Sequence, residues 1–317
     1  MTDCLSQTIR YLATFLGVKI GCLAAAVLSP RRLFALSDRL AGLGFFLFRS
    51  FRRRSLANIR SALGDQLEGK AEEKVRQSLQ NFFRACIEIF IALQTPPGER
   101  LRDIPVLGQH HLDTALAKGK GAVVLSAHLG NFFLLGRCLE KKGYICHTLL
   151  NQPRHGRFNA LMNHYLDQLG QRSIAARPRN DALRKLLEVL RRNETVVMIA
   201  DEFRQGTGTP VPFFGRTVIA RRGPATLAAR TGAPIIPACL VRQSDGSLRL
   251  IIEPELELVK SDKSKPAIKE NTLRLTQWLE KTVRRHPEQW NWMTVHWQDD
   301  SHQANPSKQH RFQSTTH

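Results

Sequence analysis

At 317 residues, with 42% hydrophobic and 23% charged side chains, the chain can build one large domain plus an appendage, and its composition excludes a disordered or fibrous protein. Its 47 Lys and Arg against 27 Asp and Glu leave a formal charge of +20, a field that must meet phospholipid headgroups, nucleic acid or an acidic partner protein. Six scattered cysteines (Cys4, Cys22, Cys86, Cys138, Cys146, Cys239) form no C-x-x-C pair and no zinc-like spacing, so they read as reduced thiols facing a cytosol.

The first apolar stretch runs from Tyr11 to Leu28, interrupted by Lys19. A secretory signal would want its basic residues first and a clean small-residue cleavage site, of which Ala24-Ala25-Ala26 is only a weak imitation. Its length is marginal for spanning ~30 Å of hydrocarbon. A monotopic helix is the better expectation, with Lys19 snorkelling and Arg31-Arg32 at headgroup level. Leu40–Phe51 supplies a second apolar stretch, closed by Arg52-Arg53-Arg54. Residues 1–60 carry ten basic residues against two acids, and these flank apolar segments, which favours an anionic membrane surface over nucleic acid. No aromatic-interleaved basic run or recognition-helix pattern supports nucleic-acid binding.

Residues 55–93 read as helical, with Leu79, Phe82, Phe83, Cys86, Ile87 and Phe90 at helical spacing, and Pro96-Pro97-Gly98 breaks the chain. From there β-rich runs (122–126, 144–150, 195–200, 235–241, 248–252) alternate with amphipathic stretches such as 181–191 and 223–230. This pattern predicts an α/β fold with a mixed, largely buried sheet flanked by helices, preceded by the N-terminal membrane-associating segment. Residues 266–285 form one more amphipathic helix. The expected division is 1–54 for the membrane-associating helices, 55–297 for the α/β domain, and 298–317 for a disordered polar tail.

The segment Val123-Val124-Leu125-Ser126-Ala127-His128-Leu129-Gly130-Asn131 concentrates the chemistry. A β-branched run ends in small residues, then a His, then Gly and Asn at an expected helix start. This sets an imidazole at the C-terminal edge of a strand, where α/β folds bind ligands. The free N–H groups of the helix would lie beside it, suited to an anion or a developing oxyanion. A His there can take a proton from a hydroxyl, since its ordinary pKa lies near working pH. A structural hydrogen-bonding role for His128 fits the same position. Ser126 lies outside any G-x-S-x-G elbow, which weakens a serine hydrolase.

Ser126-Ala127-His128-Leu129-Gly130-Asn131 resembles the His-x-Gly-Asn start of the H-x4-D/E motif in the lipid A late acyltransferases (the lauroyl/myristoyl acyltransferase family). Further matches follow in order: Arg53–Ile59, Ala200-Asp201-Glu202, Val211–Arg216 with Gly223-Pro224-Ala225, Thr231–Pro237, and Gln289-Trp290-Asn291-Trp292. The resemblance covers roughly residues 28–297 and begins beyond Ala24–Ala26, which argues against cleavage. It implies a protein at the cytoplasmic face of a bacterial inner membrane, monotopic or single-pass. It implies transfer of an acyl chain from acyl carrier protein or acyl-CoA to a hydroxyl of a lipid A-like or other membrane lipid, with no metal or organic cofactor. His128 would be the general base, and Gly130, Asn131, Arg154 and Arg216 would contact substrate.

The sequence departs from the family at the carboxylate five residues after the His, where it has Phe133. It also has Gln152-Pro153-Arg154 where Arg-Pro is common. Two expectations stay open. Asp201 or Glu202, at a neighbouring strand end, orients His128 in its place, or the protein binds lipid without transferring acyl groups. Asp201 and Glu202 could equally be a helix cap and a surface charge, and Arg216 a solvated loop arginine. The tryptophans at 290, 292 and 297 read as core or interfacial packing rather than a ligand cage.

Overall fold

A computed structural model describes residues 2–95, 104–152, 156–203, 208–259 and 264–298, with the side chains of residues 2–10 and 65 not described. The proline-glycine break at 96–98 and the polar tail from 299 lie outside these residues. The first four helices are α1 (Thr2–Val27), α2 (Pro30–Leu47), α3 (Arg49–Leu63) and α4 (Ala71–Gln94). The rest of the chain alternates β1 (Val106–Leu107), α5 (Gln109–Leu116), β2 (Ala122–Ser126), α6 (Leu135–Lys141), β3 (Cys146–Leu150), α7 (Gly156–Leu169) and β4 (Arg172–Ala175). It continues through α8 (Arg179–Arg191), β5 (Thr195–Ile199), β6 (Thr209–Phe213), β7 (Arg216–Ala220), α9 (Gly223–Thr231), β8 (Ile235–Arg242), β9 (Leu248–Ile252) and α10 (Lys265–Arg285).

Seven strands form one sheet in the order β1-β9-β8-β2-β5-β3-β4. The five strands from β8 to β4 run parallel, and β9 pairs antiparallel with β8, so the sheet is mixed and mostly parallel. Its central strands β2 and β8 are buried at every position, and mostly apolar, because both faces are covered. In β2, Val123 and Leu125 join a core with α8, α9 and α10. Ala122 and Val124 face the other way, into a core with α5 and α6. The five β-rich runs of the sequence all become strands of this sheet, and the helices expected at 181–191, 223–230 and 266–285 are α8, α9 and α10.

The V-P-F-F-G-R motif is a separate β-hairpin. Phe213 pairs with Arg216 across a two-residue loop, Phe214-Gly215, with φ of +50° and +74°. Positive φ at both loop positions matches the twist of a tight hairpin, which explains the glycine. The hairpin lays Phe213 and Phe214 against Trp290, Trp292 and Trp297, all buried, so the tryptophan cluster is core.

The N-terminal helices belong to this body. Leu33, Ser37, Ala41, Gly44 and Phe45 form the buried stripe of α2, which packs on α4, and Arg84 of α4 donates to Asp38 at 2.7 Å. A boundary at residue 54 would cut through α3. Asn58 of that helix donates to the Trp292 carbonyl and accepts from Trp297 Nε1, and Arg54 donates to the Val295 carbonyl. The Arg53–Ile59 motif therefore fastens α3 to the segment after α10. The opposite faces of α1 and α2 are apolar and exposed: Leu12, Leu16, Ile20, Leu23 and Val27 on one, Leu36, Leu40, Leu43 and Leu47 on the other. Among the described residues no helix is long and apolar enough to cross a membrane.

Candidate active site

Strands β2 and β5 are parallel neighbours in register, with Ser126 opposite Ile199. Two residues beyond each strand end come His128 and Asp201. Equal overhang from paired strands brings the two side chains together, and His128 Nδ1 meets Asp201 Oδ1 at 2.7 Å. The other oxygen, Oδ2, accepts the His128 backbone N–H at 2.8 Å and the Trp290 indole N–H at 2.7 Å. Asp201 is fully buried. Burial alone would push its carboxyl up. The adjacent His128 charge and the hydrogen bonds from His128 and Trp290 outweigh that and hold it below the usual carboxylate range. A carboxylate against Nδ1 favours the tautomer that, in the neutral form of the ring, carries its proton on Nδ1 and its lone pair on Nε2.

His128 lines a cavity of about 210 Å³ whose other walls include Phe51, Leu79, Phe82, Phe132, Asn291 and Met293. The walls are mostly apolar, with Ser78, His128, Gln289 and Asn291 as the polar residues among them, the composition of a small-molecule or lipid pocket. Asn291 donates its backbone N–H to the His128 carbonyl, and Leu129 bridges Trp290, so the Gln289–Trp292 segment runs alongside the histidine loop. Trp290 was legible in the sequence only as packing; its bond to Asp201 depends on that tertiary pairing.

Several expected site residues fall elsewhere. The helix expected at Gly130 begins at Leu135, after a turn over residues 132–134. Gly130 has φ +60°, and a Cβ there would lie 2.1 Å from the Leu240 carbonyl oxygen, so glycine serves a close backbone approach. The N–H groups expected to face an anion are spent: that of Gly130 on the Gln289 carbonyl, that of Asn131 on the Leu240 carbonyl. Asn131 is fully buried, and its amide donates to Glu88 Oε2 at 2.7 Å, so it points into the protein and away from the cavity.

Glu88 in turn holds Arg242 by two bonds of 2.6 and 2.9 Å, and Arg242 also donates to Asn81. Gln289 bonds both backbone groups of Arg242. This buried polar cluster, which no local pattern reveals, braces the loop that carries His128. Phe132, not Phe133, lies against the His128 ring, edge-on with centroids 4.7 Å apart. Phe133 is one step removed, between Phe132 and Phe82. Glu202 pairs with Arg221 at 3.8 Å. Arg216 lies over the Trp297 ring at 4.9 Å, bonds Ser61, and is not among the residues lining the cavity. Arg154 lies outside the described residues.

A mostly parallel α/β sheet with a His–Asp pair at the ends of two adjacent strands, opening on an apolar cavity, is the setting in which the relationships of the chain become informative. The chain belongs to the bacterial lipid A biosynthesis acyltransferase family, which matches residues 3–299, and it is an acyltransferase. It is 27% identical over 230 residues to the phosphatidylinositol mannoside acyltransferase of Mycobacterium tuberculosis, covering 70% of each chain. It is 25% identical over 249 residues to the enzyme of the same name from Mycolicibacterium smegmatis, covering 77% of this chain and 78% of that one.

Proposed function

We propose that this acyltransferase moves a fatty acyl chain from an acyl thioester, on acyl carrier protein or coenzyme A, to a hydroxyl of a lipid A-like or other glycosylated membrane lipid. The observation that carries the reading is the 2.7 Å contact of His128 Nδ1 with a buried Asp201 on the wall of an apolar cavity. In this scheme His128 Nε2 removes the acceptor hydroxyl proton as the oxygen attacks the thioester carbonyl. The tetrahedral intermediate collapses, the C–S bond breaks, and the leaving thiolate takes the proton back from Nε2. Asp201 orients the ring and stabilises the imidazolium.

The oxyanion requires a donor other than the spent N–H groups of Gly130 and Asn131. Asn291 fits: it lines the cavity, and among the described residues its side-chain amide N–H groups carry no hydrogen bond. An amide donor aimed at the developing charge stabilises the transition state more than the ground state. The exposed apolar faces of α1 and α2, with Arg31 and Arg32 at the junction of the two helices, support docking on the anionic cytoplasmic leaflet of a bacterial inner membrane. The test is acyl transfer from both thioester donors to lipid A precursor and to a phosphatidylinositol mannoside, read by mass spectrometry for wild type and His128→Ala. Product from wild type and a loss of about two to four orders of magnitude in the variant are expected. Equal turnover in the variant removes His128 from the mechanism.

A further inference from the structure

The mechanism leaves one built feature of the molecule unused. Residues 39–64 contain no acid, yet Arg49, Arg52, Arg53 and Arg54 crowd the first turns of α3. Arg49, Ser50, Arg52 and Arg53 line a cleft of about 350 Å³, separate from the cavity at His128. At 100° per residue, positions 49, 52 and 53 share one face of the helix and position 51 lies on the opposite one. Phe51 accordingly lines the His128 cavity, so a single helical turn divides the cleft from the reaction site. Arg52 lies over the Phe45 ring at 5.7 Å, which fixes its guanidinium at the cleft rim. Arg49 and Arg53 are exposed, and among the described residues neither makes a hydrogen bond or ion pair.

We infer that this cleft is a phosphate subsite that holds the phosphorylated headgroup of the acceptor lipid while its hydroxyl reaches His128 from the other side of α3. The inference rests on the acyl-acceptor reading above and adds the headgroup chemistry to it. Guanidinium forks match phosphate oxygens two at a time, and a serine hydroxyl adds a further donor. The cleft also adjoins Phe46, Leu47 and Phe48, all exposed. That places it where an apolar helix face meets charge, the level of a lipid phosphate. A soluble acidic carrier protein would have to cover those side chains with hydrocarbon of its own.

The test uses full-length protein in neutral detergent and a variant carrying Arg49→Gln and Arg53→Gln, both exposed and outside the catalytic cavity. Calorimetry measures binding of dihexanoylphosphatidylinositol, of dihexanoylglycerol and of inorganic phosphate. The variant is expected to bind dihexanoylphosphatidylinositol more weakly by on the order of tenfold, with dihexanoylglycerol unchanged. Equal affinity of wild type and variant for the phospholipid overturns the inference. So does inorganic phosphate binding as tightly as the phospholipid, which would make the cleft a free-anion site. A rise in KM for the acyl carrier protein thioester, with phospholipid binding intact, overturns it in favour of donor docking. Binding needs no turnover, so a wild-type protein that binds the phospholipid through these arginines but transfers no acyl group would refute the acceptor reading and leave the subsite standing.

Discussion

Glu88→Gln tests whether the polar cluster behind the histidine loop holds that loop in place. Glu88 accepts two bonds from Arg242 and one from Asn131, and the side chains of Arg242 and Glu88 are only 6% and 12% exposed. Glutamine keeps the shape but removes the charge and replaces one acceptor oxygen with a donor. That NH2 then faces either the guanidinium or the Asn131 amide, and Arg242 is left buried without its counter-charge. Breaking one partner of a buried pair costs about 3–5 kcal/mol. For a chain of this size that corresponds to roughly 5–8 °C in Tm, followed by circular dichroism in detergent. Replacing both partners, Glu88→Leu with Arg242→Met, should recover a large part of the loss, because no charge then remains to be solvated. Asn131 follows His128 by three residues, so kcat should fall in both variants with KM little changed. A Tm within about 1 °C of wild type for Glu88→Gln would mean that water or another group already serves Arg242, and the bracing argument would fail.

Further outcomes follow from the same geometry. Asn291→Ala should lower kcat by about two to three orders of magnitude with a small change in Tm, if its amide serves the oxyanion; an unchanged kcat assigns that role elsewhere. Phe133→Glu should not raise activity, since Asp201 already holds His128 Nδ1 and Phe133 sits against Phe82 and Phe132; a clear gain in rate would show that the Asp201 contact is not productive. His147 and His286 are both pulled below their ordinary pKa, by burial first of all, against the opposing charges of Glu194 and Glu288. Depressed folded values mean that their contribution is present above about pH 6.5 and is lost as pH falls through the folded values. His147→Gln with His286→Gln should therefore shrink the fall in Tm between about pH 7.5 and pH 5, and an undiminished fall would assign it to other groups.

The sheet and the two residues of the candidate His–Asp pair were legible because they rest on local signals. The apolar runs of β2 and β5 mark strands buried on both faces, and a His and an Asp just past two strand ends are visible in one dimension. Which acid would serve the histidine was not: Asp201 and Glu202 are adjacent in sequence, and only the register Ser126 to Ile199 turns one toward His128 and the other toward Arg221. The helix start at Gly130 was misread because glycine followed by asparagine suits a cap, whereas here the glycine admits a carbonyl and the asparagine meets Glu88. Trp290, Glu88 and Arg242 were missed as site residues because their partners lie far away in sequence. The phenylalanine at 133 signalled a lost carboxylate, yet a helix that begins five residues later than expected sets Phe132 beside the ring.

The central claim is that Asp201 orients His128 for general-base catalysis, and Asp201→Asn measured beside Glu202→Gln tests it most directly. Asparagine can accept from Trp290 but cannot steady an imidazolium, and its amide can force the wrong tautomer at Nδ1. Acyl transfer by Asp201→Asn should fall by roughly three to four orders of magnitude in kcat with KM little changed, while Glu202→Gln stays within about threefold of wild type. Near-normal turnover by Asp201→Asn in a protein that still melts cooperatively would contradict the account.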